Sequence, residues 1–421
     1  MKMITVSQLK RPLWFAGMLV TASGLVASHA QATIEQKTIT QETVIQDNPL
    51  FDSPKVTVRE AVKKEHPDNL KITATLSMDS SYDFAPYKAD GSSKPTATQR
   101  MSFGPPDLGL TISKALQLPF VVGPVKCVAV TSIDKEKGAR LGKIYADHKN
   151  FVVGIHASKF HDGEALPDTL DALPHSAVCA KSTQIAIKGK VGGSFNYAVA
   201  IEKSLAVDLY PEEKKEEKAK KDFVPIHNLP TLCAQVQYKD SFGHIGISGL
   251  LRVVDYHKKH TASNAETDYV LPTWGINCTS VINLVAKKTT LKLQGVYGQG
   301  IGGYLTAFGD TPEAEPKDVY LKDNKVATIN TLGGYAGIEH CWSSQFRSTV
   351  VYGILNTPGK HPQRKAGAYR QGHHASGNVT YHPTEQISFG IGYLYTGQLA
   401  VDSKETHTTQ SMVQATVSLK I

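Results

Sequence analysis

Beyond its first 30 residues the chain lacks any run approaching the roughly 20 consecutive apolar residues that a membrane helix requires. If the mature protein lies in a membrane, it lies there as strands. Cysteine is scarce: five residues, at 127, 179, 233, 278 and 341, in no CxxC or Cys/His metal spacing. Most fall inside strand-like runs, where a free thiol behaves as a small hydrophobe, and the odd count leaves at least one without an intrachain partner. There is no basic stripe and no known nucleic-acid module, so the formal net charge of +8 does not point to nucleic acid. No cofactor and no metal are expected.

What is present begins with a leader. Lys2, Lys10 and Arg11 precede an apolar stretch over residues 12–27, and small residues follow at Ser28, Ala30 and Ala32. This is the pattern of a cleaved secretory signal peptide, placed at residues 1–30. Its removal lowers the net charge to about +5, a modest excess that favours small anionic partners. Residues 31–69 are polar, with thin apolar content and no sustained heptad, and are expected to form a periplasmic extension.

From residue 70 to 421 the pattern changes to strict alternation. Leu70, Ile72, Ala74, Leu76 and Met78 alternate with polar neighbours, as do Ile387, Phe389, Ile391, Tyr393 and Tyr395. The last run, Val413, Ala415, Val417, Leu419 and Ile421, stops at the chain end and cannot remain a bare edge. The same test places runs near 70–78, 107–115, 124–134, 138–147, 151–159, 183–189, 194–203, 229–239, 243–255, 269–283, 289–298, 332–341, 344–355, 373–382, 386–396 and 409–421. About sixteen strands result, the even number that single-chain outer-membrane barrels use. The connections mostly alternate between short and long, as in such barrels; residues 135–137, short where a long loop is due, break the rule. A periplasmic sandwich would not sort its long connections to one end. The expectation is therefore an all-β transmembrane antiparallel barrel in the outer membrane, surrounded by lipid.

Two sets of residues carry the candidate chemistry. The third long connection holds Asp162, Glu164, Asp168 and Asp171, with apolar anchors at Leu166, Leu170 and Leu173. Folded into the lumen, it would set acids against basic residues of the wall and form a constriction. The alternation turns Lys292, Gln294, Arg347, His244, Ser248 and Arg252 inward, and puts Lys71, Lys126, Arg140 and Lys420 on polar phases. The wall cations expected to line the pore are Arg140, Arg252, Lys292 and Arg347. The charged run over residues 211–222 is assigned no chemistry. His374 and Ser376 share a face, as a lipase pair would, but that face is directed to the lumen, so no enzymatic activity is expected.

Several stretches resemble the DcaP-like trimeric outer-membrane porins of Gram-negative bacteria. They are residues 139–145 (ARLGKIY) with the 160–171 segment, Gly249-Leu250-Leu251-Arg252, the 290–302 segment, and Gly333-Gly334-Tyr335-Ala336-Gly337 through residue 353. The resemblance implies a sixteen-stranded barrel, a homotrimer and passive uptake of small, often dicarboxylic, anions. It also implies that Arg140, Arg252 and Arg347 are wall arginines and that the 162–171 loop is the constriction. Two features depart from it: residues 31–69 reproduce the family's coiled coil poorly, and the chain ends on Ile421 instead of an aromatic residue. A non-conducting structural or adhesive barrel, binding partners through its long loops, is the alternative function.

Overall fold

The computed structural model describes residues 71–88, 100–103, 107–116, 124–134, 138–170, 173–205, 209–210, 223–226, 229–259, 266–285, 288–306, 317–322, 325–358, 369–400 and 407–420. The expected signal peptide and 31–69 extension, the 135–137 connection, the charged run, Asp171 and Ile421 lie outside the described residues.

The staves of the barrel are β1 (Lys71–Lys88), β2 (Asp107–Leu116), β3 (Val125–Asp134), β4 (Gly138–His148), β5 (Phe151–Ala157), β6 (Lys181–Val191), β7 (Phe195–Glu202) and β8 (Thr231–Asp240). They continue with β9 (Gly243–Lys259), β10 (Glu266–Val285), β11 (Thr289–Gln299), β12 (Asn330–Cys341), β13 (Phe346–Asn356), β14 (Tyr369–Tyr381), β15 (Ile387–Ala400) and β16 (His407–Lys420). Each pairs antiparallel with its neighbours in sequence, and β1 also pairs with β16, Leu76 opposite Leu419, so the sheet closes on itself. Two short strands extend this sheet: Arg100–Phe103 pairs with β1 beyond the end of β2, and Phe223–Ile226 pairs with β9 beyond the end of β8. The result is a closed sixteen-stranded antiparallel barrel. A closed barrel leaves no strand edge, which is the condition for spanning a membrane with sheet.

The alternation seen in the sequence becomes a division between lipid and lumen. Leu251 is 61% exposed on the outside while Leu250 beside it is 2% exposed on the inside. Val350 and Val351, at 64% and 2%, repeat the contrast. The outward row of β9 includes Ile245 and Ile247; that of β15 runs Phe389, Ile391, Tyr393 and Tyr395. Near the short turns the outer aromatics pair: Phe346 stacks on Tyr381 at 4.6 Å and Tyr381 on Phe389 at 6.5 Å, and Phe195 lies tilted against Tyr238 at 5.0 Å. An apolar band ending in aromatic rings is the exterior of an outer-membrane barrel, and that is where this chain resides.

β5 is the shortest stave, at 7 residues. That is fewer than the roughly 9–11 residues a tilted strand needs to cross the hydrocarbon. The chain therefore leaves the wall while still inside the barrel, and the long connection that follows starts in the lumen. Replacing outward-facing Val350, at the middle of β13, by Arg should cost about 2–4 kcal/mol of folding stability in lipid, whereas Arg at inward-facing Thr416 should cost far less. Unfolding titrations in lipid vesicles measure both, and equal losses would contradict the assignment of faces.

Candidate functional site

The connection between β5 and β6, loop 3 here, crosses the lumen and lies along the inner faces of β8 to β15. Irregular backbone inside a barrel has to find partners for its carbonyls. The wall supplies them. Phe160 O accepts from Ser248 Oγ and Asn277 Nδ2, both at 2.9 Å, and His161 O from Gln235 Nε2 at 3.1 Å. Tyr335 OH donates to Ala165 O at 2.9 Å, Lys292 Nζ to Leu166 O at 2.7 Å, and Asn378 Nδ2 to Asp168 O at 3.1 Å. Gln294 closes the series, its Nε2 donating to Ser176 O at 2.7 Å and its Oε1 accepting from Val178 N at 3.3 Å.

Inward-facing glycines make the room. A Cβ on Gly353 would stand 2.9 Å from His175 O, and one on Gly390 would stand 2.4 Å from Leu170 Cδ2. Side chains at either position would lift the loop off the wall.

A second loop, between β11 and β12, packs over the first. Its 3-10 turn Gly302–Tyr304 sets Tyr304 edge-on to Phe160 at 5.7 Å, and Cys179 N donates to Tyr304 O at 3.1 Å. Phe160, Val178, Leu250, Val296, Ile301, Tyr304 and Leu355 form one buried apolar cluster, so part of the lumen is sealed by packing. This second loop is anchored by Arg252. The guanidinium donates to Asp318 Oδ2 at 3.1 Å, Ser204 Oγ at 3.0 Å and Leu205 O at 2.6 Å. A small sheet, Val319–Lys322 with Lys325–Thr328 and, in parallel, Leu209–Tyr210, joins this second loop to the connection between β7 and β8, which also carries Ser204 and Leu205.

The sequence-predicted residues are distributed as follows. Arg252 points inward but is 2% exposed and consumed by this anchor, so it offers no free charge to a passing solute. Lys292 is inward and shared between Leu166 O and Glu339 Oε1, the latter at 2.9 Å. Arg347 is exposed on the inward phase, near the short-turn end of β13. Arg140 lies opposite Ser132 in β4, and its side chain is outside the described ones. Asp162 is buried: Oδ2 accepts from His244 Nε2 at 2.8 Å and Thr279 Oγ1 at 2.6 Å. Glu164 is exposed and paired with Lys239, and Asp168 is exposed with its N–H donating to Glu339 Oε1 at 2.6 Å. His374 Nε2 lies 3.1 Å from Ser376 Oγ, with the His175 ring of loop 3 edge-on at 5.3 Å, so this pair is lumenal.

No protein-family model matches the sequence, and no curated protein matches it. The solved structures do. The outer-membrane channel DcaP of Acinetobacter baumannii matches with a TM-score of 0.65 at 16% identity, over 84% of this chain and 97% of that one. OprB of Pseudomonas putida matches at 0.50 and 7% identity, over 84% of this chain and 94% of that one. The fold is that of the outer-membrane porins. At such identities the likeness is one of architecture, and the roles of side chains rest on this chain's own geometry.

Several residues at the site were not singled out from the sequence. Tyr335, Asn277 and Asn378 sit on inward phases readable by alternation, but nothing local marks them as partners of a loop more than a hundred residues away. Asp318 lies in the long 299–331 connection, where no periodicity fixes direction.

Asp162 provides a test of the tether. Burial alone would push its carboxyl up, but the bonds from His244, Thr279 and the Glu164 N–H outweigh burial and bring it to about 2. A folded value below the ~3.9 of a free aspartate means that its stabilisation is complete above that value and is lost as pH falls through about 2. Asp162→Asn should therefore melt below wild type at pH 7, with the gap closing as the pH is lowered toward 2. A gap independent of pH would show that the carboxylate charge is not what holds the loop.

Proposed function

We propose that the barrel is a passive channel for small hydrophilic solutes, with a preference for anions of the carboxylate and dicarboxylate type. One observation carries the proposal. Loop 3 is seated against β8 to β15, while inward-phase side chains elsewhere keep contact with water: Thr73 and Thr75 on β1, Gln414, Thr416 and Ser418 on β16. A sixteen-stranded barrel with one side filled and the other wet has an aqueous path. Exposed cations stand on the inward phase at its short-turn end, Lys71, Arg347 and Lys420. Of the loop-3 acids, Asp162 is buried with its carboxylate held by His244 and Thr279, Glu164 is paired with Lys239, and Asp168 is exposed. The exposed wall cations support a positive field at that end of the path, which raises the local concentration of anions there.

The same reading takes residues 1–30 as an export leader, removed before assembly, and residues 31–69 as a periplasmic extension. It takes the protein as a homotrimer with lipid around it, Arg347 and Arg140 as wall cations, and Asp168 and Asp171 as acids at the narrowing. It assigns no enzymatic step to His374 and Ser376, which face the lumen and away from lipid substrate.

Planar-bilayer recordings test this. Conductance should appear in steps grouped in threes, with a reversal potential in a salt gradient displaced toward the anion, and Arg347→Ala should reduce that displacement. A cation preference would overturn the solute class. Absence of conductance would favour a structural barrel.

A further inference from the structure

The wall at the root of loop 3 holds a second concentration of charge, away from the acids of the loop. It is created by a fault in β4. Between Leu141, opposite Thr131, and Lys143, opposite Val130, the register shifts, with Gly142 as the extra residue. Leu141 is 55% exposed on the lipid side; in a regular strand Lys143 would share that face. The bulge turns Lys143 to the lumen instead, in phase with Tyr145, which packs on Val152, Ala186 and Ala200 inside the barrel. Asp147 continues the same row, with Lys126 of β3 directly opposite it and Lys188 of β6 bonded to it, Nζ to Oδ2 at 2.6 Å. Above them His156 stands edge-on to Tyr145 at 4.5 Å. Lys159 and His161 begin loop 3.

The charges in this wall do not balance. Lys126, Lys143, Lys159 and Lys188 come from β3, β4, loop 3 and β6, and among the described residues the carboxylates set against them and His161 are Asp147, Glu202 and Asp162. Asp147 is held by Lys188. Glu202 is committed to Lys159 N at 2.7 Å and Ser182 Oγ at 2.9 Å. Burial and the positive charge of Lys188 hold the Lys159 ammonium below its usual range, against the pull of Glu202 and Asp147. Burial, with the charges of Lys143 and Lys159, lowers His161 in the same way, against the pull of Val178 O, which engages its Nδ1, and of Asp162. These lysines are half-buried or exposed, so each retains contact with the lumen. Closely spaced ammoniums that lack carboxylates are stabilised by an anion lodged among them, and one bearing several charges can meet more than one of them at once.

We propose that Lys126, Lys143, Lys159 and Lys188 form a solute-binding step inside the channel for small anions carrying two or more carboxylates. The proposal rests on the reading of the barrel as an anion-conducting pore and adds to it a place where the solute pauses. A multivalent anion gains from several lysines together, and a monovalent one gains from one at a time. The site therefore distinguishes citrate from acetate.

Single-channel recordings with citrate or acetate added to one side provide the test. Citrate should interrupt the wild-type current at concentrations where acetate has no effect. Lys143→Gln and Lys159→Gln should each weaken that block roughly tenfold, the order expected for losing one well-placed charge. Lys159→Arg should retain the block, and Lys149→Gln, in the exposed turn after β4, should leave it unchanged. Open-channel current from each variant reports that it has folded and inserted; if Lys159→Gln does not insert, Lys143→Gln read against Lys149→Gln decides. Wild-type block by citrate that is unaltered in conducting Lys143→Gln and Lys159→Gln proteins would overturn the binding step while leaving the channel intact. A wild-type barrel that passes no current, or prefers cations, would overturn the channel reading and the binding step with it.

Discussion

An irregular stretch of backbone can exist inside a barrel only if its polar groups are paired, and here the wall pairs them. The carbonyls of Phe160, His161, Ala165, Leu166, Asp168 and Ser176 are each met by a side chain of the wall. A buried carbonyl left without a donor costs about 1–3 kcal/mol, so a loop with this many inward carbonyls is stable in one seat and costly to move. The rest of the interior follows from that seat. Small residues such as Gly353 and Gly390 face it because a side chain would collide with it. The aromatic pair of Phe160 and Tyr304 extends it upward into the second inward loop, and the buried Arg252–Asp318 bond fixes that loop in turn.

Much of this architecture is legible in the sequence because a membrane barrel imposes two independent patterns on it. The two-residue period marks strands and faces, and the alternation of short and long connections marks the ends. Both agree on sixteen staves, and the inward phases of His244, Ser248, Gln294 and Lys292 are those found. What alternation gives is direction, and direction is not function. Arg252 faces inward as expected, yet its charge is spent on Asp318, a residue in a connection whose path no local rule predicts. Asp162 likewise is an acid of the third long loop, but it is buried under His244 and Thr279 and does not face open water. Lys143 shows the opposite failure: strict period two assigns it to the lipid side, and only the bulge at Gly142 brings it into the lumen. Bulges, long-range side-chain to backbone bonds and loop-to-loop contacts are the features that a periodic pattern cannot encode.

Electrostatically the interior divides by location. Of the acids of loop 3, Asp162 is held by hydrogen bonds and Glu164 by Lys239 while Asp168 is exposed, and the wall of β3 to β6 carries lysines in excess of its carboxylates. That division depends on loop 3 remaining seated, since a released loop would present its acids to the lumen at large.

The width of the passage tests that seat most directly. Neutral polymers of graded size, added to both sides of a bilayer holding the wild-type protein, lower the current only when they are small enough to enter. With loop 3 and the second loop packed as described, polymers that enter an unobstructed sixteen-stranded barrel should be excluded and should leave the current unchanged. Entry of those same polymers would show that the lumen is open and that the loop does not occupy it.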